Sequence, residues 1–399
     1  MSARPTDPRA ARAVRAVYVS FTGAGLAMAS WAARIPQVRD HLHMTPGQLG
    51  VVLLCIALGS IVSLPLSGAI VAHFGEARTV VAMSLLECGG LAIAGVGYVV
   101  GVAPVCIGLV LFGLGTGGWD VAMNVQGATV ERTIGRSIMA RFHAGWSIGT
   151  VAGAAIGAAM VALHVPVTAH LVGIAVVVAL VVPITVLRGY LPHVVEAETQ
   201  ESRRSVWQAW REPRTLLIGV FVLCMAFSEG TGNDWIGVVM IDAYHTVDAV
   251  GTLALAVFLA AMTLGRWFGP ALLDRFGRVP VLRTCAVVAL VGVLLVVFAH
   301  NVVLAFVGVL AWGVGTSLGF PTGISAAADD PRRAAARVSV ASSVAYLAFL
   351  GGPPLVGFVA DHVGVLHALT VVSVLVTIAV VLTAATAPLA SDEPARVGA

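Results

Sequence analysis

The chain has 399 residues, of which 58% are hydrophobic and 11% charged, with a mean hydropathy of +0.95 and a formal net charge of +3. Soluble domains carry about 25% charged residues, and a chain this apolar has too little polar surface to meet water on all sides. A soluble protein is therefore excluded, and a polytopic membrane protein bathed by the lipid bilayer is expected.

All 23 basic residues are Arg. The chain thus lacks the P-loop lysine of an ATP-driven pump and the Schiff-base lysine of a carbonyl enzyme. Cys55, Cys88, Cys106, Cys224 and Cys285 are scattered through apolar runs and never pair as CxxC, which indicates neither a disulfide framework nor a zinc site. No metal, cofactor or enzymatic activity is expected.

In chain order, apolar runs predict spanning helices α1 (14–36), α2 (46–71), α3 (79–100), α4 (104–129), α5 (139–163) and α6 (166–187). Each is near the ~20 residues that cross a bilayer. A polar stretch over 188–213 reads as a linker. Then come α7 (214–241), α8 (250–273), α9 (281–299), α10 (302–327), α11 (338–360) and α12 (364–387). The expected organisation is an all-α membrane protein: an N-terminal six-helix bundle (1–187), a cytoplasmic linker (188–213) and a C-terminal six-helix bundle (214–399).

The arginines fix the expected orientation. Twenty of the 23 fall on one side, counting Arg141 at the start of α5. The other side keeps Arg34 and Arg39, and Arg266 lies inside α8. By the positive-inside rule both termini are cytoplasmic, and nucleic acid is not an expected partner. The Arg-rich start before α1 lacks a small-residue cleavage site, so α1 reads as a retained span.

An internal repeat joins the bundles. Gly113-Leu-Gly-Thr116 in α4 recurs as Gly313-Val-Gly-Thr316 in α10, 200 residues on, and Trp146 of α5 meets Tyr346 of α11 at the same offset. The loop after α2, Ala72 to Arg78, recurs at offset 202 as Asp274-Arg-Phe-Gly277-Arg278. Two homologous halves with a site between them are a transporter plan.

Three enzyme-like patterns fall away on context. Gly113-x-Gly115-x-x-Gly118 matches a dinucleotide fingerprint, and Gly145-Trp-Ser147-Ile-Gly149 and Gly315-Thr-Ser317-Leu-Gly319 match a hydrolase elbow. All three lie inside spans, with no preceding strand. Gly145, Gly149, Gly153 and Gly157 instead form a ladder that lets another helix approach.

Acids within spans cost about 2.5–3.5 kcal/mol each at the bilayer centre and need a cavity, a partner or a proton. Asp120 lies midway along α4 with Asn124 one turn on, and Glu229 midway along α7 with Asn233 one turn on. Asp234 is about 100° further round. These carboxyls are candidates for substrate hydrogen bonding and proton coupling. Glu87 of α3 reads as structural or snorkelling. His143, heading an α5 stripe with Ser147 and Thr150, is either a proton relay or bonded to a backbone carbonyl. Tyr346 with Ser342 is the counterpart stripe on α11. Trp31 and Trp235 read as an interfacial belt, whereas Trp119 and Trp146 suit a polyhydroxylated ring or, by cation–π contact, an organic cation. Arg34 and Asp234, near the same ends of α1 and α7, are a candidate latch across the outer mouth.

Several strings carry a resemblance. Asp274-Arg-Phe-Gly277-Arg278, preceded by Gly265-Arg266, resembles the cytoplasmic loop motif of the major facilitator superfamily, although Pro270 stands where that family usually has Gly. In the first-half copy Ala72 and His73 replace the acid and the base. Trp31-Ala-Ala-Arg-Ile-Pro36, Asn124-x-x-Gly127-x-x-Val-Glu-Arg132, His143-x-x-x-Ser147-x-Gly149, Glu229-Gly-x-x-Asn-Asp-Trp235, Leu318-Gly-Phe-Pro321 and Tyr346-Leu-Ala-Phe-Leu-x-Gly-Pro-Pro354 together resemble the MosC/YbjJ-like inner-membrane proteins.

The resemblance implies twelve helices, secondary transport by alternating access, and a cavity lined by α1, α4, α7 and α10. It also implies a gating role for Asp274, Arg275, Arg278 and Arg266. The group's association with inositol-amine metabolism points to polyols. The expectation is a monomeric transporter in a bacterial inner membrane, coupled to protons, that moves a small polyol or sugar-like solute. The alternative is proton-driven efflux of drug-like molecules. The helix-5 Gly-Pro of drug antiporters is incomplete here, since Ala154 follows Gly153.

Overall fold

The computed structural model describes residues 8–134, 138–192, 208–330 and 333–389, with no strand among them. Twelve helices are long and apolar enough to span a membrane. They are α1 Pro8–His41, α2 Pro46–Phe74, α3 Glu76–Gly97, α4 Val102–Ile134, α5 Arg141–Ala162, α6 Val167–Gly189, α7 Pro213–Asp242, α8 Asp248–Phe276, α9 Arg278–Phe298, α10 Val302–Ala327, α11 Ala336–Val363 and α12 Val365–Thr386. Every expected run is present. Helices outlast their apolar runs where polar residues continue the backbone ladder, as at the Arg-rich start of α1. Most of the expected linker, 193–207, lies outside the described residues.

Local chemistry sets the ends. Thr45 and Gln48 form a reciprocal capping box at the start of α2, and the Asn301 side chain caps α10. Gly75 and Gly277, at φ 78° and 81°, turn the chain tightly between α2 and α3 and between α8 and α9. α1, α5, α7 and α9 end on His43, His164, His245 and His300 in the left-handed region (φ 50–54°), a helix-ending position usually given to Gly. Three spans are broken: α1 between Ala32 and Ile35, α10 between Thr316 and Gly319, and α12 at Leu369.

The helices form two pseudo-symmetric groups of six. In the first half α2 and α3 pack on α4, α1 packs on α5 and α6, and α3 packs on α6; the second half repeats this six helices later. The glycine contacts carry the repeat to single residues. A Cβ on Gly90 would strike the backbone of Gly108 and Phe112, and one on Gly292 that of Gly308 and Trp312. Likewise Gly115 lies against Met83 and Glu87, and Gly315 against Cys285 and Ala289.

The α5 glycine ladder faces α1. Gly149 and Gly153 touch the Thr22 and Leu26 carbonyls, and a Cβ on Gly157 would meet Ala33. Gly149→Val is therefore expected to cost about 1–3 kcal/mol through forced separation of α1 and α5. Gly173→Ala, where nothing lies within 4 Å of the new Cβ, should be near neutral. Thermal unfolding of the detergent-solubilised variants checks both.

The halves touch along α2–α11 and α5–α8. An even number of crossings places the start of α1 (Pro8) and the end of α12 (Thr386) at one end. The inter-half hydrogen bonds seen among the described residues gather at the opposite, far end.

Candidate functional site

The first half contributes an acid–amide pair on α4. Asn124 Nδ2 donates to the Asp120 carbonyl (2.8 Å) and to its Oδ1 (3.1 Å), and both side chains are half-buried. This is the pair expected from the one-turn spacing. Glu87 of α3 corrects the snorkelling reading, since it is 1% exposed. Its Oε2 lies 3.0 Å from Thr116 Oγ1, its Oε1 has no partner, and it interacts electrostatically with Asp120.

Trp119 is corrected as a substrate-stacking candidate. It is fully buried between α4 and α1, and its indole N–H donates to Ser20 Oγ at 2.7 Å. One residue along a helix is about 100° of rotation, so a helix that turns Asp120 toward the interface turns Trp119 into its own bundle. Trp31 and Trp235 are likewise no interfacial belt, being 2% and 0% exposed.

The second half contributes an ion pair. Arg266 Nη2 donates to both Glu229 oxygens (2.8 and 2.9 Å), and its Nε donates to the Ser317 carbonyl at 3.2 Å. The break in α10 frees that carbonyl from a regular helical ladder. Glu229 is thus no free carboxyl, and Arg266 acts at mid-span rather than in the loop after α8. Asn233 and Asp234 are half-buried, and Asn233 Oδ1 has no partner.

Groups from both halves approach each other. His143 of α5 is exposed, packs edge-on against Phe21 (5.0 Å between centroids) and interacts electrostatically with Arg266 of α8. Among the described residues no backbone carbonyl accepts a hydrogen bond from it. Tyr346 of α11 interacts electrostatically with Asp120 of α4, and Trp146 is half-buried on α5. Two polar sets thus draw on both halves: Asp120 and Asn124 with Tyr346, and Glu229 and Arg266 with His143.

At the far end the halves are clasped. Arg39 donates through Nη1 and Nη2 to the Asp242 carboxylate, the Nη2 bond being 2.7 Å, and also to Asp40 (2.6 Å). Gln37 Nε2 donates to Asp248 at 3.1 Å, and the Gly47 N–H donates to Asp361 at 3.0 Å.

The Arg34–Asp234 latch is not formed. Arg34, 2% exposed, donates to His170 Nδ1 (3.0 Å) and the Val165 carbonyl (2.9 Å) of its own half. Two physical reasons apply. The break at Ala33 and Arg34 turns this side chain toward the α5–α6 loop. The clasping pair Arg39–Asp242 is also offset by 203 residues, which puts Asp234 three residues, about 5 Å, too deep to meet Arg34.

The loop-motif residues stay within the second half. Arg278 Nη1 donates to both Asp329 oxygens (3.0 Å each) and to the Thr386 carbonyl, and Arg214 joins it on Asp329 at 2.8 Å. Arg275 lies over the Phe276 ring and Asp274 is exposed. At the start of α7, burial tends to raise the Glu212 carboxyl, but hydrogen bonds from Arg337, Thr215 and Arg333 hold it below the usual range. None of these bonds crosses between the halves.

Comparison with known proteins places this geometry. The sequence profile of the Major Facilitator Superfamily matches residues 17–232 and again 222–398. Transporter y4wD of Sinorhizobium fredii is 30% identical over 351 residues, covering 87% of this chain and 91% of its own. Membrane protein MosC of Rhizobium meliloti is 26% identical over 371 residues, covering 91% and 88% respectively. Among solved structures, the nucleoside transporter NupG superposes with a TM-score of 0.69 at 15% identity, over 95% of this chain and 98% of that one. A single-site variant of the E. coli fucose:proton symporter FucP gives 0.66 at 14%, over 94% of this chain and 98% of that one. At such identities the structural likeness shows the fold.

Proposed function

The chain belongs to the Major Facilitator Superfamily, a family of transporters rather than enzymes, and from that premise we propose a proton-coupled importer of a small polyol or sugar-like solute. Its halves, 1–187 and 214–399, rock about the interfacial polar site. Its termini are cytoplasmic in a bacterial inner membrane, so the clasped far end faces outward and the described state is open inward.

One observation carries the reading. Asp120, hydrogen-bonded to Asn124 of one half, interacts electrostatically with Tyr346 of the other, while the other half's mid-span acid, Glu229, is paired with Arg266. Carboxyl, amide and phenol groups suit a solute with several hydroxyls, and Asp120 has no cation bonded to it among the described residues. A carboxyl in that setting cycles between charged and neutral forms as access alternates. The fucose:proton symporter among the structural neighbours supports the same class. Glu229, neutralised by Arg266, serves solute binding and domain closure rather than proton carriage.

The test uses the purified protein in proteoliposomes under an inward proton gradient, with radiolabelled myo-inositol and L-fucose beside cationic drugs. Thermal-shift screening guides the panel, since a ligand at 100 times its dissociation constant stabilises by about 2.7 kcal/mol. Gradient-driven uptake of a polyol is expected, and Asp120→Asn should reduce it to the level of empty liposomes while sparing counterflow exchange. Full gradient-driven uptake in Asp120→Asn would remove Asp120 from coupling. Binding confined to hydrophobic cations would replace import by efflux.

A further inference from the structure

Glu87 is the most deeply buried carboxyl in the spans and has no counterpart in the second half. Its pseudo-equivalent at the Gly115 and Gly315 contacts is Ala289, so the fold does not require an acid there. Asp120 and Asn124 likewise correspond, at offset 200, to Phe320 and Ile324. The second half instead holds a closed mid-span ion pair, Glu229 with Arg266.

Hydrogen counting around Thr116 is consistent with a neutral Glu87. Thr116 Oγ1 lies 2.9 Å from the Phe112 carbonyl and 3.0 Å from Glu87 Oε2, and a hydroxyl has one proton to give. Its mirror residue Thr316 donates to the Trp312 carbonyl (3.0 Å), with no carboxyl beside it. If Thr116 bonds Phe112 in the same way, its remaining lone pair meets Glu87, and the proton between them belongs to Glu87 Oε2. The unpartnered Oε1 fits as well: a buried carbonyl oxygen without a donor costs a few kcal/mol, whereas a buried bare carboxylate costs far more.

The groups that act on Glu87 are Thr116 and Asp120 of α4, with Cys88 beside it. Several titratable groups of the other helices packed on α3 are engaged elsewhere. Arg34 of α1 bonds His170 of α6, Tyr18 of α1 packs on Phe142, Cys55 of α2 interacts with Cys106, and His73 of α2 packs on Phe74.

We infer that Glu87 is a second proton-binding carboxyl of the transport site, held as the neutral acid with its proton on Oε2 directed at Thr116 Oγ1, behind the Asp120 that exchanges with the cavity. This rests on the proton-coupled reading of Asp120. No metal or co-reactant is needed, since a carboxylate becomes the neutral acid by taking up one proton from solvent.

Infrared spectroscopy of the protein in lipid bilayers at neutral pH tests it without any solute. A carbonyl band of a protonated carboxyl is expected in the wild type. It should vanish in Glu87→Gln and in Glu87→Ala, shift in Thr116→Val, and persist in Asp120→Asn. The alanine variant should fold, because Ala289 occupies the mirror position. A band unchanged in both Glu87 variants, or no such band in the wild type, would overturn the inference and leave the Asp120 uptake result standing. Full gradient-driven uptake in Asp120→Asn would instead defeat the coupling reading with the Glu87 band intact.

Discussion

Arg39→Ala is expected to open the far end. The guanidinium is 8% exposed and spans the two halves, binding Asp242 through both terminal nitrogens. Its removal strands Asp242 and leaves Gln37–Asp248 and Gly47–Asp361 to hold the closure. Truncating one partner of a buried charge pair costs about 2–5 kcal/mol, and the 32% exposure of Asp242 places this one near the lower figure. About 2 kcal/mol corresponds to roughly a thirtyfold shift from closed toward open. The reporter is a cysteine at Leu49, which is 1% exposed beside the α2–α11 contact, in a background with the five native cysteines replaced. Labelling with a membrane-impermeant maleimide should accelerate in Arg39→Ala and return toward wild type in the Arg39→Asp, Asp242→Arg swap. Unchanged labelling in Arg39→Ala would show that Gln37–Asp248, Gly47–Asp361 and the α2–α11 packing keep the end shut without the arginine.

The second large effect is at the mid-span ion pair. Arg266→Ala leaves Glu229 charged and unpaired where only 18% of its side chain is exposed, and Arg266→Lys cannot reach both Glu229 oxygens and the Ser317 carbonyl together. Breaking one side of a buried pair costs about 3–5 kcal/mol, and partial exposure argues for about 3. Both variants should unfold at lower temperature in detergent, alanine more than lysine. Removing both charges, as Glu229→Gln with Arg266→Gln, should restore most of the stability, because paired desolvation is then no longer required. Transport should remain absent in the double variant. A double variant with wild-type uptake would reduce the pair to a structural element.

The resemblance in the loop motif illustrates how a sequence pattern can identify a family without fixing a contact. Asp274-Arg-Phe-Gly277-Arg278 marked the second half correctly. Yet Arg278 holds Asp329 and Thr386 within that half, and Arg266, expected to act with the loop, reaches Glu229 instead. Glu87 is the opposite case. It matched no string, and its burial and its Thr116 contact arise from α3 packing on α4, which no local spacing encodes.

Composition, hydropathy and arginine placement were sufficient for the twelve spans, the two halves and their repeat. These follow from one-dimensional rules: a bilayer requires a fixed apolar length, and a duplicated chain keeps its glycines at a constant offset. The one-turn pairing of Asp120 with Asn124 was legible for the same reason, since helix periodicity is local. The partners of Arg34, Arg39, Arg266, Trp119 and Glu87 were settled only by packing. Helix rotation, the breaks in α1 and α10 and the depth at which two halves meet decide which of several polar groups come within 3 Å. A shift of three residues along a helix, about 5 Å, is enough to give the outer clasp to Arg39 and turn Arg34 inward.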